Sequence, residues 1–245
     1  MLKRIVGRSK FRRYKSYFLG QNATNYVDSY STNSANFKLH EIERGVVLKI
    51  LENYFSKRKI VHIDFACGFG LWLSALEGSS IQRIGIDASP DMLNLVPQKI
   101  DAQLFLGDRQ LLAIPLNNHP RVITAFRFIL NCNDEDLEDF GAVIAKYLRP
   151  DKEDLVICNI HGNSPSLRSM WMRINRSSEK SISKKQFQII CRKLGLQILS
   201  VHETQLFPTG ALVRFPKLLT VERFFAIIPY KRFAINRIYT LKSMK

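Results

Sequence analysis

The sequence predicts an α/β protein built on a doubly wound, seven-stranded, mostly parallel sheet with helices on both faces. Three observations lead to this fold class. Short apolar segments alternate with segments of helical periodicity along most of the 245 residues, a glycine-containing turn follows the first buried strand directly, and no internal repeat is present. Such alternation is typical of parallel sheets, which bind ligands beyond the carboxyl ends of their strands.

The first elements alternate regularly. Residues 38–55 have apolar side chains on one helical stripe, and KRKIVHIDFAC then reads as a buried strand. LWLSALEG predicts a helix that ends at Gly78, and IQRIGIDA predicts a second strand. Ser89 is a helix N-cap with Pro90 at the first helical position, so a further helix begins there.

The alternation continues to the last predicted strand. AQLFLGD and RVITAFRFIL predict strands three and four, and NDEDLEDFGAVIAKYL predicts a helix with an acidic first turn that ends before Pro150. LVICNIHG is strand five, and the capping box of Ser183 and Gln186 opens the helix KKQFQIICRKLG. LQILSVHETQLF is strand six, LLTVERFFAII is a short amphipathic helix, and INRIYTLKS is strand seven.

Positive charge is concentrated at the two ends of the sequence. The net charge is +16, residues 1–20 carry seven basic and no acidic side chains, and residues 212–245 carry eight basic and one acidic. Basic ends mixed with aromatic residues are typical of contact with an anionic membrane surface. Two other interpretations stay open, namely solvated charge and a C-terminal helix that packs across the sheet. A nucleic-acid partner is not favoured, because no RNA-binding signature is present.

The cysteines and the apolar segments predict a cytoplasmic protein. The four cysteines are far apart and stand among apolar neighbours, as reduced core residues do. The first residues lack the apolar stretch of a secretory signal, and no apolar segment approaches the ~20 residues that span a bilayer. Peripheral contact with the inner face of the membrane is compatible with this. No cluster of ligand residues predicts a metal site, and the oligomeric state is not predicted.

The turn DFACGFG after strand one is the most informative segment. Small residues at Ala66, Gly68 and Gly70 let a ligand approach the backbone closely. Asp87 ends strand two, 23 residues after Asp64, where its carboxylate can accept hydrogen bonds from both hydroxyls of a ribose. No third glycine of the nicotinamide fingerprint and no P-loop lysine follow. The pattern therefore predicts a site for another adenosine-containing cofactor.

The turn resembles motif I of the class I S-adenosylmethionine-dependent methyltransferases, in which an acidic residue precedes GxGxG, with Ala66 in place of the first glycine. The resemblance implies that Asp64, Ala66, Gly68 and Gly70 belong to the cofactor site. IGIDASPDML is similar to motif II of that family, which implies that Asp87 binds the cofactor ribose with Ala88 and Met92 beside it. LFLGDRQLLAIP is similar to the family's GDxxxLP segment, which implies that Asp108 binds the adenine amino group and that the backbone of Arg109 meets the ring.

The resemblance extends over residues about 38–203. VITAFRFILN matches the motif IV strand, which implies that Phe126 and Arg127 border the methionine half of the cofactor. YLRPDKEDLVI departs from the family's LxPGG, because Asp151 and Lys152 replace the glycines. The resemblance implies a Rossmann-like fold, S-adenosyl-L-methionine as cofactor with S-adenosyl-L-homocysteine as product, and a bacterial type that acts on small molecules.

His161 is the candidate general base for a hydroxyl acceptor, because it follows strand five at the ligand edge and an imidazole titrates near neutral pH. The alternative is a histidine that bonds a loop carbonyl. His40 is a weaker candidate to face the cofactor, whereas His62 and His202 fit scaffold roles.

Arg127 has two interpretations: it binds an anionic group of the substrate, or it pairs with an acidic helix end. Arg168 and Trp171 fall in a segment where related enzymes build a substrate lid, and a solvated loop is the alternative. Tyr26 and Tyr30 precede the first predicted helix, in a region that folds over the cofactor in related enzymes.

The sequence thus predicts a basic N-terminal arm over residues 1–37 and a methyltransferase domain over 38–245, with substrate-cap insertions about 162–182 and 207–232. The expected function is methylation of a small-molecule acceptor at a hydroxyl of a glycoconjugate, a lipid-linked compound or a secondary metabolite. The two alternatives are a nucleic-acid methyltransferase and a non-catalytic protein that keeps the fold.

Overall fold

A seven-stranded sheet forms the centre of the molecule. The computed structural model describes residues 18–32, 34–107, 115–161, 182–205, 207, 209–215, 217–218, 220–221 and 236–244. The strands are β1 (Ile60–Phe65), β2 (Ser80–Asp87), β3 (Gln103–Leu106), β4 (Arg121–Ala125), β5 (Leu155–His161), β6 (Leu196–Gln205) and β7 (Asn236–Ser243).

The strand order is β3-β2-β1-β4-β5-β7-β6. All pairs from β3 to β5 are parallel, and β7 runs antiparallel to both β5 and β6. The prediction of a seven-stranded, mostly parallel sheet is confirmed. The chain moves outward from β1 to β3 and then returns to β4 on the other side of β1, so the crevice that binds ligands in such sheets lies at the carboxyl ends of β1 and β4.

Seven α-helices lie among the described residues. They are α1 (Gln21–Asp28), α2 (Ala35–Phe55), α3 (Leu71–Ala75), α4 (Pro90–Asn94), α5 (Asp134–Tyr147), α6 (Lys184–Lys193) and α7 (Thr209–Arg214). Ser89 caps α4 with Pro90 at its start, and the Ser183–Gln186 capping box opens α6, both as predicted.

Helices cover both faces of the sheet. On one face, Phe140 of α5 and Phe187 of α6 pack in one cluster with Ile63 of β1. On the other face, Val47 and Ile50 of α2 pack with Ile60 of β1 in a second cluster that also holds residues of α3. Because successive strand side chains point to opposite faces, the even-numbered residues of β1 and β4 lie toward α2.

Several element boundaries differ from the sequence prediction, and α1 and α7 were not predicted. Helix α2 begins at Ala35 rather than residue 38, because the Ser34 side chain accepts a hydrogen bond from the Phe37 backbone amide and caps it. Strand β4 ends at Ala125, well before the end of RVITAFRFIL. Arg127 has a φ of +58°, and its backbone amide donates to Asn159 rather than to a strand ladder.

The cysteine prediction is in line with the packing, since all four cysteines are buried and none forms a disulfide bond. No helix among the described residues is long and apolar enough to cross a membrane.

Candidate functional site

The turn between β1 and α3 has the backbone of a ligand-binding loop. Ala66, Gly68 and Gly70 all have positive φ, at +58°, +54° and +80°. Ala66 therefore adopts the left-handed conformation that favours glycine, at an energetic cost that a glycine would avoid. A Cβ built on Gly68 would meet nothing within 4 Å, so the backbone there borders open space.

Asp87 ties the second strand to this turn. One carboxylate oxygen accepts from the Gly68 backbone amide at 2.7 Å, and the other accepts from the Ser89 amide at 2.9 Å. Burial raises the pKa of Asp87, and these backbone hydrogen bonds oppose that rise. Each carboxylate oxygen has a second acceptor position, so the side chain keeps capacity for two further donors.

An aromatic group covers the turn from the N-terminal side. Phe18, Tyr26 and Tyr30 pack with Phe69, and the ring centroids of the contacting pairs are 4.8–6.1 Å apart. The Phe18 carbonyl accepts from the Ser89 hydroxyl, and the Gly20 amide donates to Asp91 at the start of α4. The described part of the predicted arm thus folds against the pocket.

One pocket joins these features. It is lined by Phe18, Tyr26, Ala66, Cys67, Gly68, Phe69, Leu71, Trp72, Asp87, Met92, Phe126 and Arg127. Seven of these were predicted as site residues from the sequence, namely Tyr26, Ala66, Gly68, Asp87, Met92, Phe126 and Arg127. Gly70 and Ala88 adjoin the lining without belonging to it.

Sequence reasoning missed Phe18, Cys67, Phe69, Leu71 and Trp72 as lining residues. All but Phe18 lie in the turn or the first turn of α3, so their position in the motif was the signal that could have found them. Trp72 stacks on Phe126 with ring centroids 3.8 Å apart.

His40 does not line the pocket; it packs edge-on against Trp72 at 4.8 Å. Burial, with Arg127 and Arg44 nearby, lowers the pKa of His40 to about 3, so this histidine is neutral near pH 7.

A buried polar cluster extends the site toward β5 and β7. Arg127 pairs with Glu43 of α2 at 3.2 Å, and its guanidinium lies 5.4 Å from the centre of the Tyr30 ring. The Glu43 carboxylate also accepts from the amides of Asn159 and Asn236, at 3.2 and 2.6 Å. Although burial alone lowers the pKa of Arg127, the Glu43 carboxylate raises it above its ordinary value.

Arg127 therefore pairs with an acidic residue in the middle of α2 and not with an acidic helix end. Glu43, Asn159 and Asn236 were not found from the sequence. The hydrogen-bonded pairs among these three residues are 77 to 193 positions apart in the sequence, so no local pattern could reveal them.

His161 ends β5 beside this cluster. It pairs in register with Asn236 of β7, and its carbonyl accepts from the Ile182 amide at 3.1 Å. Strand alternation places the His161 side chain on the same face as Asn159. The side chain is partly exposed.

Asp64 lies below the turn, buried on the α2 face. Its Oδ1 accepts from the Thr124 hydroxyl at 2.6 Å, and its Oδ2 is buried with no partner in the described part of the chain. Burial raises the pKa of Asp64 to about 7 although the Thr124 hydrogen bond lowers it, and Asp87 adds to the rise.

Four predicted site residues, Asp108, Arg109, Arg168 and Trp171, lie outside the described residues. Most of the two predicted cap insertions also lies outside them. Among the residues that are described, no group of three or more His, Cys, Asp or Glu side chains could hold a metal ion.

Residues 63–151 match the protein family described as "Methyltransferase domain". None of the curated proteins matches the sequence.

Solved methyltransferase structures resemble the whole chain. The magnesium protoporphyrin IX methyltransferase from Synechocystis PCC 6803 with bound SAH is 13% identical with a TM-score of 0.61, covering 94% of this chain and 98% of that one. The plantazolicin methyltransferase BamL, in complex with a triazolic desmethylPZN analog and SAH, is 11% identical with a TM-score of 0.61, covering 95% and 94%. A SAM-dependent methyltransferase from Archaeoglobus fulgidus is 12% identical with a TM-score of 0.57, covering 89% and 99%. This chain therefore has the class I S-adenosylmethionine-dependent methyltransferase fold, and its methyltransferase-domain match spans the elements from β1 to α5.

Proposed function

We propose that the protein is an S-adenosylmethionine-dependent methyltransferase that acts on a small-molecule acceptor. The observation that carries the proposal is the pocket at the carboxyl ends of β1, β2 and β4, where Asp87 bonds the glycine turn. Solved methyltransferase structures of the same fold contain bound SAH or SAM.

The described residues fit this cofactor. Asp87 keeps acceptor capacity for the two ribose hydroxyls, and the open space beside Gly68 lets a ligand approach the backbone. The aromatic rings of Trp72 and Phe126 line the pocket, and aromatic faces attract cations such as a sulfonium. The left-handed conformation of Ala66 keeps the shape of the turn despite the missing glycine.

The chemistry requires mainly positioning and exclusion of water. S-adenosylmethionine supplies, when bound, a methyl group on a sulfonium sulfur. The protein would need chiefly to align an acceptor oxygen with that methyl group, and this alignment would account for much of the acceleration. Phe18, Tyr26 and Phe69 cover the glycine turn and shield the pocket from water.

We assign the general base to His161, which would take the hydroxyl proton of the acceptor. Support comes from its place at the carboxyl end of β5, on the sheet face that carries Asn159 and near the Arg127 end of the pocket. In this proposal Phe126 and Arg127 border the methionine half of the cofactor, while Tyr26 and Tyr30 contact the acceptor. Arg168 and Trp171, which lie outside the described residues, are proposed to bind the acceptor as well.

The acceptor class is proposed as a hydroxyl of a glycoconjugate, a lipid-linked compound or a secondary metabolite. The relative crystallised with a plantazolicin analog supports a small molecule. The basic ends of the sequence add a second proposal, that the protein contacts an anionic membrane surface from the cytoplasm.

Calorimetric titration tests the cofactor proposal. The purified protein is titrated with S-adenosylmethionine, S-adenosylhomocysteine and, as a control, NAD. We expect micromolar binding of the first two and none of NAD. Absence of binding by both methionine-derived ligands would instead favour a non-catalytic protein that keeps the fold.

A further inference from the structure

Three buried side chains form a continuous hydrogen-bonded chain below the glycine turn. His62 Nε2 lies 2.8 Å from Thr124 Oγ1, which lies 2.6 Å from Asp64 Oδ1. The exposed fractions of His62, Thr124 and Asp64 are 0%, 0% and 2%. Asp64 and Thr124 are directly opposite each other in the pairing of β1 with β4, so the sheet itself fixes their contact.

The direction of these hydrogen bonds follows from proton counting. Burial, with Arg83 nearby, lowers the pKa of His62 to about 3, so its ring is neutral and carries one N–H. Nδ1 is buried without a partner among the described residues. A buried N–H without an acceptor is costly, so the proton belongs on Nε2. His62 then donates to Thr124, which must give its single hydroxyl hydrogen to Asp64.

This chain of hydrogen bonds ends at the Asp64 carboxyl group, which changes between its neutral and its ionised form near neutral pH. Burial raises the pKa of Asp64 to about 7, the Thr124 hydrogen bond lowers it, and the nearby Asp87 raises it further. Oδ2 has no partner in the described part of the chain. Hydrogen bonds to the ionised form favour a carboxylate, and so does a cation placed close to it.

The other titratable groups around Asp64 have partners or are neutral. Burial, with Asp64 and Asp87 close by, raises the pKa of the Cys67 thiol well above its usual value. Arg83 of β2 pairs with Glu77. On the covering helix α2, Glu43 is bonded to Arg127.

The histidine on that helix is also accounted for, because the His40 ring packs on Trp72. Asp87, on β2, uses its carboxylate for the Gly68 and Ser89 amides. Asp64 is therefore the acid beside the turn whose ionisation a bound cation can change.

We propose that His62 and Thr124 are positioning residues that orient the Asp64 carboxyl group beneath the turn, and that binding of S-adenosylmethionine ionises this carboxyl group and releases its proton to solvent. The inference rests on the proposed function, because the ligand it invokes is that cofactor. The sulfonium and ammonium groups of the ligand are the cations that favour the ionised carboxyl.

Calorimetry in two buffers of different ionisation enthalpy measures the proton directly. At about pH 6.5, below the pKa of Asp64, we expect the wild-type protein to release a substantial fraction of a proton on binding S-adenosylmethionine, and at about pH 9 almost none. Thr124→Val removes the donor to Asp64 at nearly constant volume. We expect it to weaken binding at about pH 6.5 by about tenfold, as one pKa unit implies, and to extend proton release to higher pH.

Thr240→Val is the matched control. Thr240 is fully buried in β7 of the same sheet, and its hydroxyl has no partner in the described residues. This substitution should leave the affinity, the proton release and their pH dependence unchanged.

His62 provides an independent pair of variants. His62→Leu removes the donor to Thr124 and should move the pH dependence in the same direction as Thr124→Val. His62→Gln keeps an N–H donor and should restore the wild-type profile, which a merely structural role would not require. Thermal unfolding of each variant shows that it is folded, and the His62 pair decides the question if Thr124→Val does not fold.

The outcomes separate the two proposals. A wild-type protein that binds neither S-adenosylmethionine nor S-adenosylhomocysteine contradicts the proposed function. If the wild-type protein binds the cofactor but releases no proton near pH 6.5, the inference is overturned and the proposed function stands. The same holds if the pH profile of cofactor binding is identical in wild type, Thr124→Val and His62→Leu.

Discussion

Asp87 is the residue on which cofactor binding should depend most clearly. Its carboxylate holds the Gly68 amide and has acceptor positions left for a ribose. We expect Asp87→Ala to weaken S-adenosylmethionine binding by about 1.5–3 kcal/mol, the range for hydrogen bonds to a charged group. Calorimetric titration measures the loss, and Asp101→Ala at an exposed position is the control. Unchanged affinity in Asp87→Ala would show that the ribose is bound elsewhere.

Ala66 stores backbone strain that a single substitution can remove. Its φ is +58°, where an L side chain is disfavoured and glycine is not. Ala66→Gly should therefore raise the free energy of unfolding by up to about 1 kcal/mol, measured by urea denaturation. The same substitution at Ala142, exposed in the interior of α5, should lower the free energy of unfolding by about 1 kcal/mol. If both substitutions change the free energy of unfolding in the same direction, the backbone strain at Ala66 is contradicted.

His161 can be separated from the binding residues by kinetics. If it is the general base for a hydroxyl acceptor, His161→Ala should lower turnover by ~100-fold or more and leave cofactor affinity unchanged. Methyl transfer to the acceptor is followed with labelled cofactor. His119→Ala, in the loop before β4 at the opposite end of the sheet, is the control. Wild-type turnover in His161→Ala would point to an acceptor that is already nucleophilic.

At the scale of single elements, the capping box of α5 fixes where the helix begins after the pocket. The Asn133 side chain accepts from the Asp136 amide at 2.8 Å, and the Asp136 carboxylate accepts from the Asn133 amide at 3.0 Å. Asn133→Ala should cost about 1 kcal/mol of unfolding free energy, measured by urea denaturation. Asn117→Ala, at an exposed loop position, should change it little. Equal effects of the two substitutions would show that the cap does not stabilise the helix.

The elements themselves were largely predictable, because their signals are local. The capping residues Ser89 and Ser183 and the alternation of apolar segments placed α4, α6 and the seven strands. Helices α1 and α7 were missed, and most of the predicted helix LLTVERFFAII lies outside the described residues. The end of β4 was not predictable from local pattern. RVITAFRFIL remains rich in apolar residues up to Leu130. The strand nevertheless ends at Ala125, close to where the Arg127 amide donates to Asn159, a residue 32 positions later.

At the scale of the whole molecule, acid–base behaviour depends on groups far from the surface. The folded pKa of Asp64 is about 7, above its ordinary value of 3.8. The folded protein thus holds a proton that the unfolded chain loses between these values, and this group costs stability progressively as pH rises from about 4 to 7. Asp64→Asn removes that cost. Its unfolding free energy relative to wild type should rise by roughly 2–4 kcal/mol between about pH 4 and pH 8.

Urea denaturation of the wild type and of Asp64→Asn across this pH range tests the prediction. Using the difference between variant and wild type cancels the opposing contribution of His40 and His62, whose lowered pKa values make stability fall as pH decreases from about 6.5. A pH-independent difference would contradict the raised pKa of Asp64.

The sequence predicted the candidate site residues that lie in recognisable motifs. It missed the residues that are brought together only by the folding of distant segments. Ala66, Gly68 and Asp87 follow consecutive strands and were recognisable by spacing. Glu43 and Asn236, in contrast, are 193 positions apart and meet only because β7 inserts between β5 and β6. Such contacts depend on strand order, which residue patterns near either partner do not encode.

The insertion of β7 also sets an order of events during synthesis. Strands β5 and β6 leave the ribosome well before β7, yet they are not neighbours in the sheet and cannot complete it without that strand. Until Asn236 emerges, the buried carboxylate of Glu43 lacks its shortest hydrogen bond. A nascent chain that stops short of β7 therefore has the glycine turn in place but an open, unpaired edge on β5, and such edges favour aggregation. Of the described strands, β7 is the one made after all the others, and it supplies the Asn236 hydrogen bond to Glu43.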